Sequence, residues 1–215
     1  MFNYKWTSKM ATKHATEFKN FRPSAAEADH YWQQWMTLNR YRSAEEALAR
    51  LFRPRKDKEY LDRSDLLIKC STLNDFYSTS IYSVYRVVEH YMGVENLGQR
   101  MAQGDLSLVE ELRNVPTSDA GERTRDFYSF ATKFCAHHNA EAFPIYDSYV
   151  DKMLRELRNR DRKLKFLNND LKDYRKFRDI VCRMREAYGI TNLTFRQVDI
   201  MLWLAGKEYF PITYK

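Results

Sequence analysis

Between Arg123 and Leu154 the chain runs RTRDFYSFATKFCAHHNAEAFPIYDSYVDKML. The pattern is a helix, a short loop ending at Pro144, and a second helix with Asp147 in its first turn. A carboxylate there is sterically fixed and lies beside the helix N-terminal amides, which favour negative charge. Two roles suit such a residue. It can cap its helix, a contribution of about 1 kcal/mol. Held in a cleft, it can instead stabilise a developing positive charge or position a water. A second grouping, His137-His138-Asn139, offers imidazoles for acid–base work or a metal. Adjacent helical side chains diverge, however, and a partly cationic cap at a helix C-terminus suits these histidines better.

The elements that must hold these residues are helical almost throughout. Ser24-xx-Glu27, Ser43-xx-Glu46, Ser107-xx-Glu110 and Thr194-xx-Gln197 are capping-box patterns, each ahead of an apolar run. From Phe76, the residues Tyr77, Ile81, Val84, Tyr85, Val88 and Met92 recur at helical spacing and predict one long amphipathic helix ended by Gly93. Shorter helices are expected over 94–102 and 106–113, a loop over 114–121, and further helices over 122–137, 145–158, 170–188 and 195–205. Val150 and Leu154 should face inward from the helix that follows Asp147. Gly206 should stop the last helix, with Lys207 beside it as a phosphate candidate. No alternating strand pattern persists, so the fold class is all-α, a compact multi-helix domain of nine or ten helices. Residues 1–23 read as a basic and aromatic arm. Residues 24–215 read as one helical domain, or as two subdomains with a cleft between them. Trp32 and Trp35, three apart on one helix, are expected to pack on the core.

Bulk composition narrows the class further. In 215 residues, 44 % apolar and 15 % aromatic content is ample for a packed interior, while 6 glycines and 5 prolines are too few for a turn-rich all-β fold. No apolar run approaches the roughly 20 residues that span a bilayer. The N-terminal MFNYKWTSKMATKH lacks the apolar core of a secretion signal. Three scattered cysteines, Cys70, Cys135 and Cys182, form neither a disulfide framework nor a zinc motif. The expected setting is cytoplasmic, with no membrane partner, no metal and a monomeric chain. Net charge is +7, and residues 151–185 alone carry 13 Lys/Arg against 6 Asp/Glu. Such a face either attracts phosphate backbones or forms a solvated set of i,i+4 ion pairs.

Around Asp147 the chain resembles the helix–hairpin–helix DNA glycosylase superfamily, which includes the endonuclease III and MutY types. Asp147-Ser148-Tyr149-Val150 looks like that family's D-T-H-[IV] element, and Ala131 falls where the alanine of its K-T-A would fall. Ser129 stands 18 residues before Asp147, the interval that the family keeps between its lysine position and its aspartate. The resemblance covers about 30 residues, or about 90 if Ile68–Thr79 is read as a divergent form of the family's LSxQxTD segment. It implies that Asp147 is the catalytic carboxylate. With Ser129 at the lysine position, it implies base removal without strand cleavage. Lys133, one turn further, could face the same pocket or lie exposed against a phosphate. The hairpin glycines are absent: Arg125-Asp126-Phe127 stands where GVG would, with Gly121 four residues earlier. Arg123 and Arg125 would then hold the phosphate, with Ser129, Lys152 and Arg155 as further backbone contacts. The cysteine cluster of endonuclease III is missing, so no iron–sulfur group and no other cofactor is expected.

The function implied is excision of a modified base from double-stranded DNA, in repair or in defence against modified phage DNA. The base leaves the stack, its void is filled, and the ionised Asp147 stabilises the oxocarbenium-like sugar. Tyr77, Tyr82, Tyr146 and Tyr149 are the expected pocket residues, and Tyr85, Tyr91 and Tyr128 the expected core. Asn74 reads either as the wedge or as an N-cap. Two other functions remain open. One is a non-catalytic helical module that binds DNA or protein. The other is a HEPN-type ribonuclease, whose R-x(4–6)-H pair Arg86-VVE-His90 misses by one residue.

Overall fold

Helical periodicity is realised in ten α-helices and one two-stranded hairpin among the residues described by a computed structural model, namely 18–53, 61–118 and 123–211. In chain order they are α1 (Ala25–Thr37), α2 (Asn39–Leu51), α3 (Arg63–Phe76), α4 (Val84–Met92), α5 (Leu97–Ala102) and α6 (Ser107–Arg113). There follow β1 (Asn114–Pro116), β2 (Thr124–Asp126), α7 (Tyr128–His138), α8 (Ser148–Asp161), α9 (Tyr174–Ala187) and α10 (Phe195–Tyr209). The fold is therefore all-α. No helix among the described residues is long and apolar enough to cross a membrane.

Two of the capping patterns act as expected. Ser24 accepts from the Glu27 amide at the start of α1. Thr194 and Gln197 cap each other at the start of α10. The other two do not. Ser43 lies inside α2, and Ser107 is the first residue of α6, where it is held by the carboxylate of Asp105.

The single helix expected from Phe76 to Gly93 is broken. Residues 77–83 form a turn in which Ser78 and Ser80 adopt φ of 49° and 56°, left-handed values that end a helix. Asn74 fixes the turn. Its Oδ1 accepts from Ile81 N at 2.9 Å and from Thr79 Oγ1 at 2.7 Å, and its Nδ2 donates to Ile81 O at 3.1 Å. Asn74 is thus a clasp at the C-terminal end of α3 and not an N-cap. Beyond the break Tyr85 is 53 % exposed, while Tyr91 and Tyr128 are buried as expected.

The expected 114–121 loop and the first turns of the helix after it instead pair as a hairpin, with Val115 opposite Arg125. Gly121 lies outside the described residues, as do residues 1–17 of the arm. The last residues of the arm are not loose: Phe18 and Phe21 are buried and meet the ring of Tyr209.

α10 is the central element, packed against α1 and α8. Gly206 does not stop it but lies within it, where α8 approaches. A Cβ there would sit 2.8 Å from Tyr149 Cβ and 3.3 Å from Met153 Cγ. Gly206→Ala is therefore expected to cost about 1–3 kcal/mol by forcing the two helices apart, despite alanine's better helix propensity. Urea titration measures this, and a neutral or stabilising result would refute the close-packing account. Val150 and Leu154 face inward from α8, and Trp35 is buried on α1.

Candidate functional site

Asp147 is the N-cap of α8. Its extended backbone directs Oδ1 to accept from the amides of Tyr149 and Val150, both at 2.8 Å. The loop before it is fixed from α7: Thr132 Oγ1 accepts from Tyr146 N at 3.1 Å, and Ser129 Oγ donates to Tyr146 O at 3.0 Å. The residue that caps the helix also lines a cleft of about 870 Å³. The start of α7, the turn after α3, the α1–α2 corner and one face of α10 enclose it. Tyr77, Ser129, Lys133, Tyr146, Tyr149, Arg125 and Lys207 all line this cleft with Asp147.

Other predicted residues are elsewhere or differently used. Tyr82 is 93 % exposed and does not line the cleft, because the turn at 77–83 carries it outward. Arg123 is exposed beside β2, outside the cleft. Lys152 pairs with Glu156 at 2.7 Å, and Arg155 with Asp151 at 2.5 Å, both along α8. Other cations of the basic stretch also have partners within the protein. Arg183 pairs with Asp179 and Lys176 with Asp170, while Arg158 and Arg178 donate to the carbonyls of Phe166 and Ala142. The i,i+4 ion-pair reading thus describes Lys152, Arg155 and Arg183 of this segment.

Lys133 is 5 % exposed rather than at the surface. Its ammonium donates to Ser129 Oγ and lies 5.1 Å from the centre of the Tyr77 ring. Burial pushes its pKa down, and Asp147 and Asp199 pull it partly back.

Spacing along the chain did not reveal the charged floor of the cleft. Arg196 and Asp199 of α10 form an ion pair, and Arg196 also holds Glu45 of α2, with Nε donating to Oε1 at 2.7 Å. Burial works against the Arg196 charge, but Tyr77, Asp199 and Glu45 outweigh it and raise its pKa. A second aromatic wall was also missed. Trp203 and Tyr41 meet edge to face with centroids 5.3 Å apart, and the Lys207 ammonium sits 3.6 Å over the Trp203 ring. The available signal was the sequence FRQVDIMLW, in which Arg196 and Asp199 interrupt an apolar run at i,i+3.

His137 and His138 are not cationic caps. Tyr77 Oη and His137 Nε2 are 3.0 Å apart, and His138 lies between the rings of Phe52 and Phe134, each centroid 4.9 Å away. Burial, Arg196 and Lys133 push His137 down to about 3. Burial, Lys69 and His137 hold His138 well below its ordinary value. Among the described residues no group of three His, Cys, Asp or Glu side chains is placed to hold a metal ion.

Acid should therefore weaken the fold. In the unfolded chain histidine titrates near 6.5. The contribution of these neutral histidines is complete above that pH and is lost as pH falls towards 3, at up to about 1.4 kcal/mol per pH unit for each. Asp199, whose pKa is raised by burial to about 7, acts in the opposite sense between about 4 and 7 and makes the net slope shallower. Urea titrations at pH 7 and pH 5 should show lower stability at pH 5, and His138→Phe should reduce the difference. An unchanged difference would show that His138 does not contribute to it.

Fold and site together define an all-helical protein with a charged, aromatic-walled cleft and a helix-capping aspartate at its edge. The chain belongs to the HI_0787_N family, whose model, described as an N-terminal domain, matches residues 27–142. That match includes Glu45, Tyr77, Ser129 and Lys133 and ends before Asp147, Arg196 and Asp199. A protein of Haemophilus influenzae, described as uncharacterized, is 41 % identical over 138 residues. The aligned part is 64 % of this chain and 64 % of that relative, so the chain spans less than two thirds of the relative's length. No solved structure matches.

Proposed function

We propose that the protein is a DNA glycosylase that takes a flipped base into the cleft and hydrolyses its N-glycosidic bond, without cutting the strand. The observation that carries this reading is the double placement of Asp147, which caps α8 and lines a cleft wide enough for a nucleotide. A residue that only capped its helix would have no need of an aromatic cavity beside it. Breaking the bond builds positive charge at C1′, which a carboxylate at the cleft wall stabilises while it orients a water. Tyr77, Tyr41 and Trp203 offer faces for stacking, which offsets the few kcal/mol needed to unstack a base. Arg125, Lys172 and Lys207 line the same cleft and suit phosphates of the duplex.

The test is a base-excision assay on duplexes and phage DNAs carrying different modified bases, with abasic sites revealed by hot alkali. Strand breaks only after alkali support a monofunctional glycosylase. Breaks before alkali would instead indicate a lyase, with Lys133 the first lysine to test. Absence of abasic sites on every substrate, with salt-sensitive DNA binding retained, would leave a non-catalytic binding module. The ribonuclease reading gains nothing, because His90 Nε2 already meets the Glu111 carbonyl at 2.7 Å.

A further inference from the structure

Asp199 is a buried carboxyl that the roles above leave without a task. It lies on α10 at 8 % exposure, where the cleft adjoins a second cavity of about 340 Å³. Both cavities are lined by Glu45, Ile145, Arg196 and Asp199. Arg196 donates to Oδ2, while Oδ1 has no hydrogen-bond partner among the described residues. Asp147 and Asp199 thus share one cleft in unlike settings, the first bonded to helix amides, the second enclosed and half-occupied by a guanidinium. Unlike settings for two carboxyls are the arrangement by which a site separates an acid from a base.

Resting on the glycosylase reading, we propose that Asp199 is the proton donor to the leaving base. The C1′–N bond breaks with its electron pair passing to the base, and the proton of Asp199 Oδ1 moves to the base's nitrogen or its conjugated carbonyl oxygen. A water oxygen bonds to C1′, and its released proton passes to Asp147 and then to solvent. Solvent returns a proton to Asp199.

The surroundings keep that proton available near neutrality. Burial pushes Asp199 up to about 7, Arg196 and Lys133 pull it down, and Asp147 and Glu45 raise it. The groups facing it are Arg196 on its own helix, Glu45 on α2, Tyr77 after α3, Lys133 and His137 on α7, and Asp147 at the start of α8.

The experiment measures single-turnover excision from pH 5.5 to 9 by the full chain and by Asp199→Asn, Asp199→Glu and Asp147→Asn. The duplexes carry uracil, 8-oxoguanine, 1,N6-ethenoadenine or 7-methylguanine. The last already bears a positive charge and leaves without protonation. On a neutral base the wild-type rate is expected to fall about tenfold per pH unit above pH 7, as general-acid catalysis requires. Asp199→Asn should lose about 100-fold or more on that base, have a flat pH profile, and spare 7-methylguanine if the wild type excises it. Asp199→Glu should keep a falling limb with a shifted midpoint, and this arm tests the role even if the asparagine variant fails to fold. A uniform loss across pH and bases, or no loss at all, would overturn the proton-donor role while leaving the glycosylase reading intact. Wild-type protein that excises none of these bases at any pH would overturn this inference. If it excises no base from any DNA, the glycosylase reading falls as well.

Discussion

Asp147→Asn should abolish most base excision while leaving the protein folded. Asparagine is as good an N-cap as aspartate, and its Oδ1 can keep both 2.8 Å bonds to the Tyr149 and Val150 amides. Its stability should therefore stay within about 1 kcal/mol of wild type. What disappears is the charge. A carboxylate beside a developing cation at a protein cleft wall acts at a dielectric below that of bulk water. Losing such preorganised stabilisation costs about 100- to 1,000-fold in rate. Asp147→Ala removes cap and charge together and should lower both activity and melting temperature. Melting curves beside single-turnover excision separate the two. If the asparagine variant excises a base at the wild-type rate, Asp147 is a cap alone and the chemistry must lie elsewhere.

The second large effect is on stability. Arg196→Met should destabilise the fold by about 3 kcal/mol at pH 8, the low end expected for breaking a buried ion pair from one side. Arg196 satisfies both Glu45 and Asp199, so its loss removes the guanidinium that bridges the two carboxyls. The low end applies because the Arg196 side chain keeps 22 % of its surface exposed at the cleft. Protonation relieves the same defect. Without Arg196 the pKa of Asp199 rises further, so the penalty should shrink at pH 5, where Asp199 is neutral. Paired urea titrations at pH 8 and pH 5 measure this. A cost below about 1 kcal/mol at both would show that the charged floor adds little to the fold.

Legibility differed by element. Where periodicity and caps agree, as in α1 with Ser24 and α10 with Thr194 and Gln197, the start of each helix could be read from the chain. Ser43 and Ser107 carry the same pattern without acting as caps, because a capping residue needs extended backbone and both are helical. The helix expected across Tyr77–Ser83 failed for a similar reason. Its apolar spacing is helical, but three hydrogen bonds from Asn74 stabilise a turn that spacing cannot reveal. Gly206 looked like a stop signal. It is instead a contact with Tyr149, a residue 57 positions away in the chain.

The sequence by itself determined the all-helical class, the placement of Asp147 at a helix start and its spacing from Ser129. These follow from local rules, namely periodicity, capping and the rise of a helix, that act over a few residues. Only the tertiary structure decided what surrounds that aspartate. Lys133 was turned inward, Tyr82 outward and the two histidines neutral, and Glu45, Arg196 and Asp199 were joined from helices about 150 residues apart. Charge state, burial and cleft geometry depend on which distant elements share a low-dielectric space, and no local pattern encodes that.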